Sequence, residues 1–92
     1  MIMIGLAQVC VRTKIWRWNQ SAHLFCDMPA NLEELHEFAE RLGLKRSWFQ
    51  DEVDLPHYDV TVTKRKKAVT AGAVPVDRKT EVNYIRSWRR LK

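Results

Sequence analysis

Residues 57–59 read His-Tyr-Asp, the densest group of functional side chains in the sequence. In an extended segment side chains alternate, so His57 and Asp59 point the same way. A histidine and a carboxylate on one side can bind a metal ion, or work as base and orienter. The structural alternative is that Asp59 or a nearby threonine caps the following helix and His57 lies at the surface. His23 is the second candidate, just before Leu24 and Phe25. A lone histidine in an apolar strand is more often a satisfied core residue than a ligand. His23 and Cys26 are three apart and face opposite sides of a strand, which argues against a local His/Cys pair. No Cys-x-x-Cys pattern exists, so a structural zinc site is not expected.

Arginine and aromatic residues supply a different chemistry, stacking on a base and pairing with phosphate. Arg46, Trp48 and Phe49 form one such group, although Phe49 reads best as a core plug. Trp16, Arg17 and Trp18 form another. Arg65 belongs to the basic run Lys64–Lys67 at the start of a helix, where cations are unfavourable unless an anion sits nearby. Chance surface charge is the commoner origin of such a run. His36 lies beside an apolar helical stripe and reads as half-buried packing. Phosphate-binding glycine loops, nucleophile elbows and zinc-protease helices are absent, and three glycines leave little room for the first.

Charge sharpens the choice of ligand. The chain carries a net charge of +5, unevenly placed. Residues 1–27 sum to +2, residues 28–59 to −5 and residues 60–92 to +8. A basic last third points to a polyanion partner, and otherwise to a solvated helix surface. Two cysteines, Cys10 and Cys26, are too few for a disulfide framework. The apolar start, residues 1–12, lacks a basic leader and is too short to cross a bilayer. A cytoplasmic protein without a membrane role is expected.

The elements that must hold these residues follow from spacing. Residues 2–11 are apolar nearly throughout and predict a central strand buried on both faces. Residues 12–20 read as a loop or hairpin arm, and residues 22–26 as a second strand. Asn31 and Glu34 form a capping-box pattern ahead of a helix whose Leu32, Leu35, Phe38, Ala39 and Leu42 share one face. Gly43 ends it. Residues 44–58 read as an irregular loop, rich enough in side-chain chemistry to be functional. A second helix runs from about Thr61 or Thr63 to Ala71, ended by Gly72. Ala73–Val76 predicts a short strand kept at an edge by Pro75. The last helix starts near Asp77 or Thr80, with Val82, Ile85, Trp88 and Leu91 as its apolar stripe. The whole is one α/β (α+β) domain over residues 1–92, about three strands covered by about three helices in the order β-β-α-loop-α-β-α.

The runs HLFCD at 23–27, LEELHEFAERLGLKRSWFQ at 32–50, HYDVT at 57–61 and KRKKAVTAGAVPV at 64–76 resemble one family. It comprises the short bacterial and phage proteins known as domain of unknown function 4031. The resemblance covers about residues 23–76 and implies that His23, His36, Trp48, His57, Tyr58 and Asp59 are motif positions. It also implies acidic residues just after the first strand, where this chain has none before Asp27. It implies no activity.

The leading expectation is a small binding domain for a nucleotide-like or other phosphate-bearing anion, a phage or bacterial regulatory protein. Its site would hold His23, Arg46, Trp48, His57, Tyr58, Asp59 and Arg65, with no metal assigned. One alternative is a metal-dependent phosphoesterase or nuclease using His23, His57 and Asp59, which the missing early carboxylates disfavour. The other is a protein-interaction module. Partners are then a phosphate-bearing small molecule or nucleic acid. A small core also predicts a homo-oligomer, through the N-terminal strand or the Val82/Ile85/Trp88 stripe.

Overall fold

A computed structural model describes residues 1–9, 20–51 and 53–91. Trp16, Arg17, Trp18 and Cys10 lie outside the described residues. The strands are β1 (Ile2–Ile4), β2 (Gln8–Val9), β3 (Gln20–Cys26), β4 (Phe49–Gln50), β5 (His57–Val60) and β6 (Val74–Pro75). The helices are α1 (Leu32–Arg41), α2 (Val62–Thr70) and α3 (Arg78–Arg89), and short 3-10 turns occupy Pro29–Asn31 and Arg46–Trp48. The strands form one mixed sheet in the order β4-β5-β3-β1-β6, with β2 paired separately to β3. All pairings are antiparallel except β1 with β6. The α+β class is as the sequence predicts, but there are more strands.

Two of the added strands come from the segment read as an irregular loop. β5 alternates His57 and Asp59 with the buried Tyr58 and Val60. Its period of two is present but only four residues long, and its polar half hides it. The run 2–11 is not one buried strand either. Pairing of Ile4 with Leu24 and of Gln8 with Ser21 leaves three residues, 5–7, opposite two. An extra residue of this kind bends a strand and re-aims its side chains. Leu6 is accordingly half exposed.

α1 buries Leu35, His36, Phe38 and Ala39, with Leu32 and Leu42 packed beside them. Burial of each large apolar side chain contributes about 1.5–3 kcal/mol. Asn31 does not form the expected capping box. Its Nδ2 donates to Asp27 Oδ1 at 2.6 Å, because the preceding 3-10 turn carries it back over the end of β3. Gly43 adopts φ +86° and ends the helix in the left-handed conformation that a side chain disfavours. Thr61 caps α2 by accepting from Lys64 N, and Asp77 caps α3 by accepting from Thr80 N.

The buried face of α3 differs from the predicted stripe. Glu81 and Trp88 are buried, Tyr84 and Ile85 pack against the core, and Leu91 is exposed. A helix repeats every 3.6 residues, so a strict three-residue spacing drifts off the face within three turns. Trp88 Nε1 donates to the Cys26 carbonyl at 3.1 Å and fixes α3 to β3. Of the surfaces expected to join copies, Ile2–Ile4 and Trp88 lie in the chain's own core, while Val82 and Ile85 are half-buried. β1 lies between β3 and β6, and Trp88 is buried. No helix among the described residues is long and apolar enough to cross a membrane.

Candidate functional site

Antiparallel pairing of β3 with β5 sets His23 opposite Asp59 and Leu24 opposite Tyr58. Because side chains alternate, His23, His57 and Asp59 share one face, and Tyr58 and Leu24 the other. α3 covers the first face, with Tyr84 against Phe25 and Glu81 against His23. α1 covers the second, where His36 meets Tyr58.

On the α3 face the ring centroids of His23 and His57 are 4.1 Å apart. Nε2 of His23 lies 3.6 Å from Asp59 Oδ1, and Nε2 of His57 lies 3.4 Å from the same oxygen. His57 Nδ1 is 2.6 Å from the Leu55 carbonyl. A carbonyl only accepts, so that nitrogen carries a proton and Nε2 of the neutral ring keeps its lone pair. Asp59 Oδ2 accepts from the Gln50 amide, which leaves Oδ1 facing the histidines.

Glu81 completes the group, and it is a residue that sequence reasoning missed. It is 3% exposed, and its Oε2 lies 3.6 Å from His23 Nδ1. One glutamate in a basic helix reads as surface charge. The signal was its spacing to Ile85 and Trp88, which puts all three on one helical face. Gly5 makes room for it, since a Cβ there would collide with Glu81 Oε1. A carboxylate therefore does reach the end of β1, delivered by α3. Arg65 Nε donates to the Gly5 carbonyl at 2.8 Å, which brings Arg65 to the rim of the same group.

The charges are mutually adjusted. Burial alone pushes the His57 imidazolium down. The Asp59 hydrogen bond, the Leu55 carbonyl and the negative charges of Asp59 and Glu81 outweigh it, so its pKa is raised. Burial likewise favours a neutral Asp59, yet His57, His23 and Gln50 hold its pKa below the usual carboxylate value.

The remaining predicted site residues are elsewhere. Tyr58 is fully buried on the α1 face, hydrogen-bonded to His36 Nδ1 at 2.8 Å and packed on Phe49. Arg46 and Trp48 lie on the 3-10 turn after α1. Arg46 acts electrostatically on His36 and Tyr58, and the half-exposed Trp48 ring faces Lys45 Nζ at 5.7 Å. Arg65, from α2, bonds the Gly5 carbonyl, and Arg46 lies near His36 and Tyr58, so the two are not brought to one shared cleft.

His23, His57 and Asp59 form a group that could hold a metal ion. Their ligand atoms all lie within 4.8 Å of one another. Tetrahedral zinc with bonds of about 2.0–2.2 Å sets neighbouring ligand atoms roughly 3.3–3.6 Å apart. The two histidine-to-Asp59 separations, 3.4 and 3.6 Å, fall on that edge length. Three protein ligands would leave a fourth position for water, the arrangement of catalytic zinc sites.

The family described as "Protein of unknown function (DUF4031)" matches residues 9–88. The chain belongs to that family, and all of its clustered site residues except Gly5 fall inside the matched region. No curated protein and no solved structure matched the chain.

Proposed function

We propose that this member of the DUF4031 family binds a divalent transition-metal ion through His23 Nε2, His57 Nε2 and Asp59 Oδ1, and uses it to hydrolyse a phosphate ester of a nucleotide or nucleic acid. The meeting of the three side chains carries the reading: their ligand atoms all lie within 4.8 Å of one another, and both histidine Nε2 atoms lie 3.4–3.6 Å from Asp59 Oδ1. A bound ion lowers the pKa of its water to about 7 and so supplies hydroxide at neutral pH. Held there, the ion would supply a hydroxide to form the new P–O bond as the bond to the leaving oxygen breaks, the leaving oxygen taking its proton from solvent.

A phosphate-bearing substrate is supported by the surroundings. Asp59 is two residues before the cap of α2, and Glu81 lies in the first turn of α3, so two positive helix ends adjoin the group. Arg65 stands at its rim, and an arginine pairs with phosphate in a planar, two-point fashion. A net charge of +5 favours encounter with polyanions. A cytoplasmic setting and assembly into a homo-oligomer belong to the same reading.

Metal content after dialysis against Zn²⁺ or Mn²⁺, together with hydrolysis of bis(p-nitrophenyl) phosphate and of a labelled oligonucleotide, tests this. One ion per chain and metal-dependent turnover are expected, both lost in His57→Ala. Metal binding without turnover, with tight nucleotide binding, would establish the non-catalytic binding domain. No metal binding at micromolar concentrations would end the hydrolase reading.

A further inference from the structure

Each ligand atom of the proposed metal site belongs to a side chain that something must hold from behind. Leu55 holds His57 through its carbonyl, and Gln50 holds Asp59. His23 differs. Its rear nitrogen, Nδ1, is buried without a hydrogen bond and faces Glu81 Oε2 at 3.6 Å. Among the described residues, the buried side-chain polar atoms without a hydrogen-bond partner are His23 Nδ1 and Glu81 Oε1. They belong to two residues in contact.

A buried, unpaired carboxylate oxygen is costly, and α3 otherwise turns Tyr84, Ile85 and Trp88 to the core. Yet the fold makes space for this carboxylate. Position 5 has no side chain, where any Cβ would collide with Oε1, and Arg65 ties down the Gly5 carbonyl. An apolar residue at position 81 would satisfy packing with none of this.

We infer that Glu81 is a positioning residue of the metal site, one that accepts a hydrogen bond from the Nδ1–H of His23 so that Nε2 faces the ion; this rests on the metal reading above. A cation on Nε2 draws electron density from the ring and strengthens Nδ1–H as a donor. The 3.6 Å contact then closes to hydrogen-bond length, about 2.9 Å. Carboxylates behind metal-bound histidines act in this way, fixing both tautomer and ring orientation.

Two readouts test it, one without metal. Imidazole ¹⁵N spectra of the metal-free protein at mildly alkaline pH report the His23 tautomer, and competition titration with Zn²⁺ reports affinity. Wild type should show His23 protonated at Nδ1. Glu81→Gln should shift that ring toward the Nε2–H form, leave His57 unchanged and weaken Zn²⁺ binding by about 10–100-fold. Gly5→Ala, which displaces the carboxylate without altering it, should do the same. Should Gly5→Ala fail to fold, Glu81→Gln decides alone. Unchanged His23 tautomer in Glu81→Gln overturns the inference even if affinity falls, because Glu81 would then act through charge alone. Unchanged affinity overturns it as well. A wild type that binds no Zn²⁺ defeats the metal reading, and the tautomer comparison then still shows whether Glu81 orients His23.

Discussion

β5 presents two buried histidine environments on opposite faces of one four-residue strand, and they obey different rules. On the α3 face His57 is 7% exposed, with Asp59 beside it and Glu81 close by. On the α1 face His36 is 8% exposed, and its neighbours are the Tyr58 hydroxyl and the Phe49 ring. Burial pushes both imidazoles down. At His36 burial prevails, helped by Arg46 and opposed only by Glu33, so its pKa is lowered. At His57 the carboxylates prevail and its pKa is raised. Equal burial therefore does not mean equal role. The company of charges separates a histidine kept for packing from one kept ready to hold a proton or a cation.

The sharpest way to break this contrast is truncation at adjacent positions. Tyr58→Ala should cost about 3–5 kcal/mol in urea denaturation, the range for losing a buried aromatic ring. Asp59→Ala should change stability by no more than about 1 kcal/mol, yet reduce metal binding at least about 100-fold. A large stability loss in Asp59→Ala would make that carboxylate a structural group.

Milder changes sharpen the comparison. Tyr58→Phe removes one hydrogen bond to His36 and keeps the ring. It should cost about 1 kcal/mol and leave metal affinity untouched. Gln50→Ala removes the donor behind Asp59 and should weaken metal binding by about tenfold at nearly constant stability, read by calorimetry.

The smallest effect is one of sign. His36 has a lowered pKa, so its folded environment favours the neutral ring. Its contribution is complete above the ordinary imidazole value of about 6.5 and is lost as pH falls below it. His57 has a raised pKa, so its contribution is complete below about 6.5 and is lost as pH rises through the raised value. In the metal-free protein, His36→Phe should flatten the stability profile on the acid side and His57→Phe on the alkaline side. Identical changes in both variants would erase the distinction.

α1 was legible because five apolar positions repeat at helical spacing and Gly43 marks its end. His23, His57 and Asp59 were legible as residue types able to share an ion. The sequence could not show His23 directly opposite Asp59, because register between strands over thirty residues apart is a tertiary matter. β5 was hidden by the polar residues it presents to the site. Arg46 was grouped with Arg65 from its nearness to aromatics, yet Arg46 attends His36 and Tyr58 while Arg65 is bonded to the Gly5 carbonyl. Glu81 and Gly5 were missed because each is ordinary alone, and only their collision course gives them meaning.

Trp88 is two helical turns from Glu81, about 10 Å along α3. Its indole N–H is bonded to the Cys26 carbonyl, at the far end of the strand that bears His23. The helix is thus a strut pinned at one end and working at the other. Local opening that frees the indole should also withdraw the carboxylate and uncover the His23 ring. Slow amide exchange in α3 and an intact site then become one property, so damage at Trp88 should be felt first as a loosened site and only later as unfolding.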